Sequence, residues 1–183
     1  MAAEEIFASQ GYESARISDI ARSAGCSAGA IYFRFRDKDA LFLAIAESFI
    51  GQTRRGLLDF LGEAERDDPR EIIRGFVART ATNFRRHRGL FRAIVERGFD
   101  HPHVMDAMMT FREDVIGTLD RALQSKGRKR ADVSACVRVI AQMVFGFLLT
   151  GVLNPRAPTR LSDDKSVFGL ADAVLAYFES IQQ

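Results

Sequence analysis

A single glycine between two short runs of helical spacing constrains this chain more than any other feature of its sequence. Residues 17–39 have the sequence ISDIARSAGCSAGAIYFRFRDKD. Ala21 is small enough for two helices to cross closely, and Gly25 can adopt a left-handed backbone in the turn between them. Ser27 can cap the second helix. This spacing predicts a helix-turn-helix in which five apolar residues fill the wedge: Ile17, Ile20, Ala24, Cys26 and Ile31.

Helical spacing continues through the rest of the chain, and strand signals are scarce. The four prolines and several glycines divide the pattern into about nine helices. Asp37 and Asp68 are predicted N-caps, and Pro69 is predicted at the first position of its helix. We therefore predict an all-α fold, with a helix-turn-helix domain over residues 1–48 and a second helical domain over residues 49–183.

Composition excludes several other classes of protein. Hydrophobic residues make up 47% of the chain and charged residues 27%, which is ordinary for a globular domain and unlike a disordered chain. Cys26 and Cys136 are too far apart for a metal-binding spacing, and the first ten residues lack the pattern of a signal peptide. The most apolar stretch, 139–153, is too short to span a bilayer and is predicted to be a buried helix. We expect a reducing, cytoplasmic location and no membrane partner.

The exposed side of the second helix of the motif has residue types that suit a DNA groove. Ala28, Gly29 and Ala30 are small, so the backbone can approach closely and thymine methyl groups have room. Arg34 can reach a phosphate or a guanine edge, and Lys38 begins the next helix, where free N–H groups already favour an anion. The predicted DNA-contacting residues are Arg16, Ser18, Ser27, Ala28, Gly29, Ala30, Tyr32, Phe33, Arg34 and Lys38.

The overall charge gives this prediction no support. The whole chain has a net charge of +2, and residues 1–50 contain five basic and seven acidic side chains. DNA binding would therefore depend on a local group of cations, Arg34, Arg36 and Lys38, with Arg16 beside them.

The segment FASQGYESARISDIARSAGCSAGAIYFRFRDKDALFLAIAE resembles the N-terminal domain of the TetR family of transcriptional repressors. The matching motifs are the F-x-x-x-G-Y end of the first helix, D-I-A in the second, A-G-C-S in the turn, G-x-I-Y-x-x-F in the recognition helix and K-x-x-L-F at the start of the fourth. The resemblance implies a homodimeric repressor that binds a palindromic DNA operator and is released by a small effector bound among the C-terminal helices. It implies no cofactor.

Several positions depart from the family pattern. Cys26 replaces the usual valine and is predicted to be a small buried residue. Ser18, Ala28 and the pair at 33–34 also replace frequent residues, so the operator sequence cannot be inferred from relatives. Members of the family normally have additional helical turns and a basic arm before the position of Met1.

Phenylalanine and methionine are frequent in the second half, and such residues line adaptable apolar pockets as well as cores. Polar residues on the same helix faces need a partner in the protein or in a ligand. Arg112 is predicted to pair with Glu96 or to hold an anionic group of the effector. The predicted pocket, for a mostly apolar effector, comprises Phe76, Thr80, Asn83, Phe84, Met105, Met108, Phe111, Arg112, Gln142, Met143 and Phe145.

Two C-terminal helices, 132–154 and 167–181, carry long apolar faces. We expect both to pair with their copies in a four-helix bundle about a twofold axis, which would make the protein a homodimer. The predicted interface residues are Val137, Ile140, Val144, Leu148, Leu170, Val174 and Phe178.

Two alternatives compete with the repressor prediction. Metal-capable side chains at 87, 100, 101, 103 and 106 would suit a metal-dependent hydrolase. They offer no convincing ligand spacing, and the sequence has no nucleophile elbow and no phosphate-binding glycine loop, so we expect no enzyme, no catalytic residue and no metal site. An architectural DNA-binding protein without a ligand would instead have a fully packed C-terminal domain.

Overall fold

The computed structural model describes residues 2–64, 68–124, 130–154, 156–157 and 163–181. Within these ranges the chain forms nine α-helices and no strand, so the all-α prediction is confirmed. The helices are α1 (Ala2–Ser14), α2 (Ile17–Ser23), α3 (Ala28–Arg34), α4 (Lys38–Glu63), α5 (Pro69–Arg86), α6 (Arg88–Gly98), α7 (Pro102–Leu123), α8 (Arg130–Leu153) and α9 (Asp164–Ser180).

Local residue chemistry sets the ends of the N-terminal helices. Gly25, between α2 and α3, has φ +68°, a left-handed value that glycine adopts without steric penalty. The Ser27 hydroxyl accepts a hydrogen bond from the Ala30 N–H at 3.1 Å and caps α3. Asp37 caps α4 in the same way, accepting from the Ala40 N–H at 2.8 Å. The predicted turn glycine and both caps are therefore confirmed.

Most other helix ends lie close to their predicted places. Asp68 accepts a hydrogen bond from the Arg70 N–H at 2.9 Å, and Pro69 is the first residue of α5, as predicted. α9 begins at Asp164, one turn earlier than predicted, because Asp163 caps it. The predicted end of α7 near 126–127 and the prolines at 155 and 158 lie outside the described residues.

The chain divides into two compact units. Unit 1 comprises Met1–Gln52 and His87–Met109, and unit 2 comprises Thr53–Arg86 and Thr110–Gln183. In unit 1, α1 packs against α2 and α6, and α2 packs against α3. The predicted domain division after residue 48 assigns α6 to the effector-binding part, whereas its packing joins it to the helix-turn-helix. As a division of function, that boundary stays a prediction.

Aromatic packing forms the core of unit 1. Phe7, Tyr12 and Phe42 are buried, and their ring centroids lie 5.0–5.8 Å apart. Phe49 packs edge-on against Phe91 of α6 with 5.0 Å between ring centroids. These rings place α6 in the same core as the helices that carry the predicted DNA-binding residues.

The wedge between α2 and α3 is smaller than predicted. Its three isoleucines are buried, as the spacing indicates. Ala24 and Cys26 are exposed, so the prediction that they fill the wedge is wrong. The physical reason is that α2 ends at Ser23, which leaves both residues in the turn rather than on the helix face that meets α3.

Unit 2 has a more apolar core, centred on α8. This helix packs against α5 and α9, and α5 also packs against α9. Residues 131–153 are long and apolar enough, by length and composition, to cross a membrane, with a mean hydropathy of 1.9. One face of the helix is nevertheless occupied by core contacts, which favours the buried helix predicted from the sequence.

The seven residues predicted for the dimer interface lie in this core. Each is at most 7% exposed within a single chain: Val137, Ile140, Val144, Leu148, Leu170, Val174 and Phe178. A side chain already covered by its own chain has no surface to offer a second copy, so this choice of residues is corrected. The large apolar side chains exposed on the described parts of α8 and α9 are Val139, Leu153 and Phe168.

Candidate nucleic-acid interface

α3 buries only one line of its surface. Ile31 is its buried residue, and every other position from Ala28 to Arg34 is exposed or half-exposed. Phe33 is 93% exposed and Tyr32 is 55% exposed. Two adjacent uncovered rings on one short helix are typical of a surface that meets another molecule.

The structure places most of the predicted DNA-contacting residues on the surface of α2, α3 and the turn between them. Arg16 occupies the N-cap position of α2 and is exposed, as is Ser18 two residues later. The hydroxyl of Ser27 accepts the capping bond and retains its donor and a second acceptor site for a further partner. Exposed or half-exposed positions also include Ala28, Gly29, Ala30, Tyr32, Phe33 and Arg34.

Lys38 has a different environment from the one that its sequence position suggests. Its ammonium donates to the backbone carbonyls of Tyr12, Glu13 and Ala15 at 2.9, 3.1 and 3.2 Å. These carbonyls lie at the end of α1, where helices leave acceptors unsatisfied, so Lys38 caps α1. An ammonium has three donors. A phosphate contact by Lys38 stays a prediction and would have to replace at least one of these bonds.

The cations around α3 differ in how far they are neutralised. The Arg36 Nε donates to the Asp37 carboxylate at 2.8 Å, and Arg22 lies 3.3 Å from the Asp19 carboxylate. The bond from the Ala40 N–H, followed by the Arg36 bond, holds the pKa of Asp37 below its ordinary value. In the described parts of the chain, Arg16 and Arg34 have no carboxylate partner, so they remain available to a phosphate.

A polar network around Tyr12 fastens α1 to its neighbours, and nothing in the sequence motif indicates it. Lys38 Nζ lies 4.4 Å and Arg97 Cζ 4.8 Å from the centroid of the Tyr12 ring. The Tyr12 hydroxyl donates to the Asp39 carboxylate. Arg97, on α6, also lies 3.6 Å from Asp39. Sequence analysis missed Arg97 because its partners come from α1 and α4, far away along the chain.

The predicted effector residues are distributed over both units. Phe145 of α8 contacts three of them in unit 2: its ring centroid lies 6.2 Å from Phe76, 6.5 Å from Phe84 and 6.2 Å from Phe111. The two methionines at 105 and 108 belong to unit 1. Within unit 2, the sequence pattern therefore predicted an aromatic cluster that the structure contains.

The polar members of the predicted pocket have partners in the protein. The Thr80 hydroxyl donates to the Phe76 carbonyl at 2.7 Å, and the Asn83 amide donates to the Thr53 hydroxyl at 3.3 Å. Arg112 donates to the Gln142 side chain at 2.8 Å.

The sequence predicted that Arg112 pairs with Glu96 or binds an anionic group of the effector. In the structure Arg112 is not paired with Glu96. Glu96 instead accepts a hydrogen bond from Arg92, one turn away on α6, at 2.6 Å. The Nε of Arg112 is buried and has no hydrogen-bond partner in the described structure. A buried donor without a partner is unfavourable, so Arg112 retains the capacity to bind an acceptor.

Two of the metal-capable side chains of unit 1, His87 and His103, have carboxylate partners within the chain. His87 bonds to the Glu4 carboxylate and packs 4.9 Å from the Phe49 ring. His103 lies 3.9 Å from Glu47. A surface groove of about 400 Å³ between the end of α1 and α6 also holds charged residues, but Arg92 and Arg97 there face Glu96 and Glu13.

Similarity to known proteins identifies the family. The model of the family described as "Bacterial regulatory proteins, tetR family" matches residues 1–45. The HTH-type transcriptional repressor BepR of Brucella suis biovar 1 is 30% identical over 163 residues, which cover 81% of this chain and 76% of BepR. The chain belongs to the TetR family. It is therefore a transcriptional regulator of the helix-turn-helix type.

Other relatives of this TetR-family chain agree with that assignment. The uncharacterized HTH-type transcriptional regulator YerO of Bacillus subtilis is 29% identical over 83 residues, and the match spans 45% of this chain but only 29% of YerO. A TetR-family regulator from Mesorhizobium loti has a TM-score of 0.75 at 17% identity, covering 98% of this chain and 92% of that one.

One further solved structure is FadR from Bacillus subtilis, in complex with stearoyl-CoA. It matches with a TM-score of 0.62 at 19% identity, covering 97% of this chain and 94% of that one. At such identities the structural matches show the shared fold of the TetR family, an N-terminal helix-turn-helix followed by a helical C-terminal domain.

Proposed function

We propose that this TetR-family chain is a cytoplasmic, homodimeric repressor that binds a near-palindromic DNA operator and leaves it when a small, mostly apolar effector binds. The outer face of α3 carries the DNA-binding part of the proposal. Ile31 anchors the helix, Ser27 caps it, and Tyr32, Phe33 and Arg34 are exposed. A short helix with this surface fits the major groove, which is about 12 Å wide.

Two copies of α3 would contact the two halves of the operator. A twofold dimer places its recognition helices about one turn of DNA apart, roughly 34–36 Å, or farther when an effector stretches the dimer. Arg16 and Arg34, which have no carboxylate partner in the described chain, would contact phosphates or base edges. The similarity to BepR, named as a transcriptional repressor, supports repression rather than activation.

We propose that the dimer forms through the exposed sides of α8 and α9. Phe168 is 67% exposed on α9, and the small residues Gly169, Ala173 and Ala176 on the same helix are exposed too. Val139 and Leu153 are the exposed apolar residues of α8. A second copy would cover these apolar groups, and the small residues would let the helices approach closely.

We propose that the effector binds in unit 2 beside the phenylalanine cluster around Phe145. The cluster supplies an apolar lining, and the buried, unpartnered Nε of Arg112 supplies one donor for an anionic or carbonyl end. FadR, which shares the fold, was solved with stearoyl-CoA, a ligand of this chemical type. A coupling free energy of about 1–3 kcal/mol between effector and DNA would change operator affinity roughly 5- to 150-fold.

Selection from a random duplex library tests the DNA-binding proposal and identifies the operator. We expect an enriched near-palindrome, and we expect the Tyr32→Ala, Arg34→Ala double variant to bind it at least tenfold more weakly, measured by fluorescence anisotropy. Arg74→Ala, which removes an exposed arginine on α5, is the matched control and should bind as wild type does. Wild-type affinity of the double variant would show that α3 is not the DNA-contacting helix.

Release by three probes of equal chain length tests the effector proposal: stearoyl-CoA, stearate and stearyl alcohol. The two anions should release wild-type protein from its operator more effectively than the neutral alcohol. Arg112→Ala should lose this difference and keep its operator affinity in the absence of a probe, whereas Arg74→Ala should keep both. If none of the probes weakens operator binding, or if Arg112→Ala responds as wild type does, this choice of effector is wrong.

A further inference from the structure

We infer that Phe33 recognises the 5-methyl group of a thymine in each half of the operator and thereby sets part of the operator sequence. The inference rests on the proposed DNA-binding function. Phe33 is the most exposed of the large hydrophobic side chains described, at 93%. No contact within the chain explains a phenylalanine there, so its partner is expected outside the chain.

Phe33 lies at the centre of the outward face of α3. Successive residues of an α-helix are rotated by about 100°, so Phe33 and Gly29 point away from the buried Ile31. Gly29 precedes Phe33 by one helical turn, so the two positions share the outward face of the helix.

Gly29 leaves the space beside this ring open. A Cβ at Gly29 would have a single side-chain neighbour at ordinary contact distance, the Ser27 Oγ at 3.7 Å. The outward face of the helix is therefore flat at Gly29 and raised at Phe33. A base edge in the groove would meet the phenyl ring before it met the helix backbone.

The chemistry of a phenyl ring restricts what it can recognise. The side chain of Phe33 has neither a hydrogen-bond donor nor an acceptor. Of its neighbours, Tyr32 has a hydroxyl that both donates and accepts, and Arg34 has donors only. The thymine methyl is the apolar group that the major groove presents, and the other base edges there present donors and acceptors. Placing the ring on a donor or acceptor would leave that group unpaired, which is unfavourable. Thymine is therefore the base that Phe33 favours.

The test uses the full-length protein and its selected operator, in which each thymine is replaced in turn by deoxyuridine. This change removes only the methyl group. For the wild-type protein, replacement at one particular thymine of a half-site should weaken binding about fourfold, the loss expected for one buried methyl group. Replacement of the equivalent thymine in both half-sites should weaken binding about fifteenfold. Phe33→Ala should bind the thymine and deoxyuridine operators equally well.

Two variants separate this role from a general weakening of the interface. Tyr32→Ala should bind more weakly but keep the ratio between thymine and deoxyuridine operators. Phe33→Leu, which remains apolar, should keep part of that ratio. Circular dichroism melting should be unchanged in Phe33→Ala because the side chain is exposed, which excludes loss of folding as the cause.

The outcomes that overturn the inference differ from those that overturn the proposed function. If no thymine position matters to the wild-type protein, or if Phe33→Ala keeps the preference, the role of Phe33 is wrong while DNA binding stands. If selection enriches no sequence at all, the DNA-binding proposal itself fails.

Discussion

α3 and α8 differ in how much of their surface the rest of the chain covers. α3 has seven residues and buries one of them, so its surface is available to another molecule. α8 has 24 residues and packs one face into the core of unit 2. A substitution on the outer face of α3 should change what the chain binds, whereas one on the inner face of α8 or its partner α9 should change whether unit 2 folds.

The two units also differ in what holds them together. In unit 1 a polar network of Tyr12, Lys38, Asp39 and Arg97 supplements the aromatic core. In unit 2 the helices α5, α8 and α9 pack through apolar side chains. Charged groups therefore have structural roles near the DNA-binding surface, and a mutation there can act on stability and on DNA binding together.

The largest effect is expected at Val174, on the buried side of α9. Because Val174 is fully buried, Val174→Glu would place an unpaired carboxylate in the core and lower the free energy of unfolding by about 3–5 kcal/mol. Chemical denaturation measures this change. The matched control is Ala173→Glu, at the exposed neighbouring position, which should leave unit 2 folded.

Sedimentation of the same two variants sharpens the comparison between core and surface. If the exposed side of α9 is the dimer interface, Ala173→Glu should give folded monomers. If Val174→Glu is instead folded and monomeric with wild-type stability, Val174 is not buried in the core. It would then be a residue of the dimer interface, as the sequence predicted.

The next largest effect concerns Lys38 in unit 1. Lys38→Met removes a cation that donates to three carbonyls at the end of α1, and it should lower the free energy of unfolding by about 2 kcal/mol, typical of charged hydrogen bonds. The salt dependence of operator binding should be unchanged, because the ammonium is used within the chain.

Arg34→Met is the opposite case and serves as the control. Arg34 is exposed, so its removal should change stability by no more than about 0.5 kcal/mol. It should reduce the slope of operator binding against salt by about one ion. The opposite result would be a Lys38→Met variant with a reduced slope and unchanged stability. It would show that the Lys38 ammonium exchanges the α1 carbonyls for a phosphate when DNA binds.

A smaller effect is expected at the cap of α3. Ser27→Ala removes the acceptor for the Ala30 N–H and should lower the free energy of unfolding by about 1 kcal/mol, whereas Ser27→Gly should lower it by only a few tenths. Thermal unfolding of both variants measures the difference. Equal stability of Ser27→Ala and wild type would mean that packing at Ile31 alone holds the helix.

The smallest effect is on the pH dependence of stability. Bonds from the Ala40 N–H and Arg36 lower the pKa of Asp37, and a bond from the Ser166 hydroxyl, with the Lys165 N–H, lowers the pKa of Asp163. A lowered pKa means that the ionised carboxylate stabilises the fold, and that this stability is lost as the pH falls through the lowered value.

Both caps are exposed, so these losses should be small. We expect Asp37→Asn and Asp163→Asn each to make stability decline less steeply between pH 5 and pH 2, roughly the range in which a carboxylate is protonated. Urea denaturation at each pH measures this decline. A steeper decline in either cap variant would contradict the prediction that the ionised carboxylate stabilises the fold.

The sequence by itself determined the parts of the protein that depend on residues close together in the chain. The turn at Gly25 and the caps at Ser27, Asp37 and Asp68 involve partners no more than a few residues away, so motif and spacing predicted them. The exposed face of α3 also followed from the position of Ile31 in the helical period. The family followed because its signature lies within this local segment.

Only the tertiary structure decided which faces are covered and which charges are already paired. Helical periodicity identified the apolar faces of α8 and α9, but it could not tell whether another helix of the same chain or a second copy covers them. The same holds for Lys38 and Arg112, whose partners at Tyr12 and Gln142 come from other helices. Burial and charge pairing depend on residues brought together across the fold, and the spacing along one helix carries no information about them.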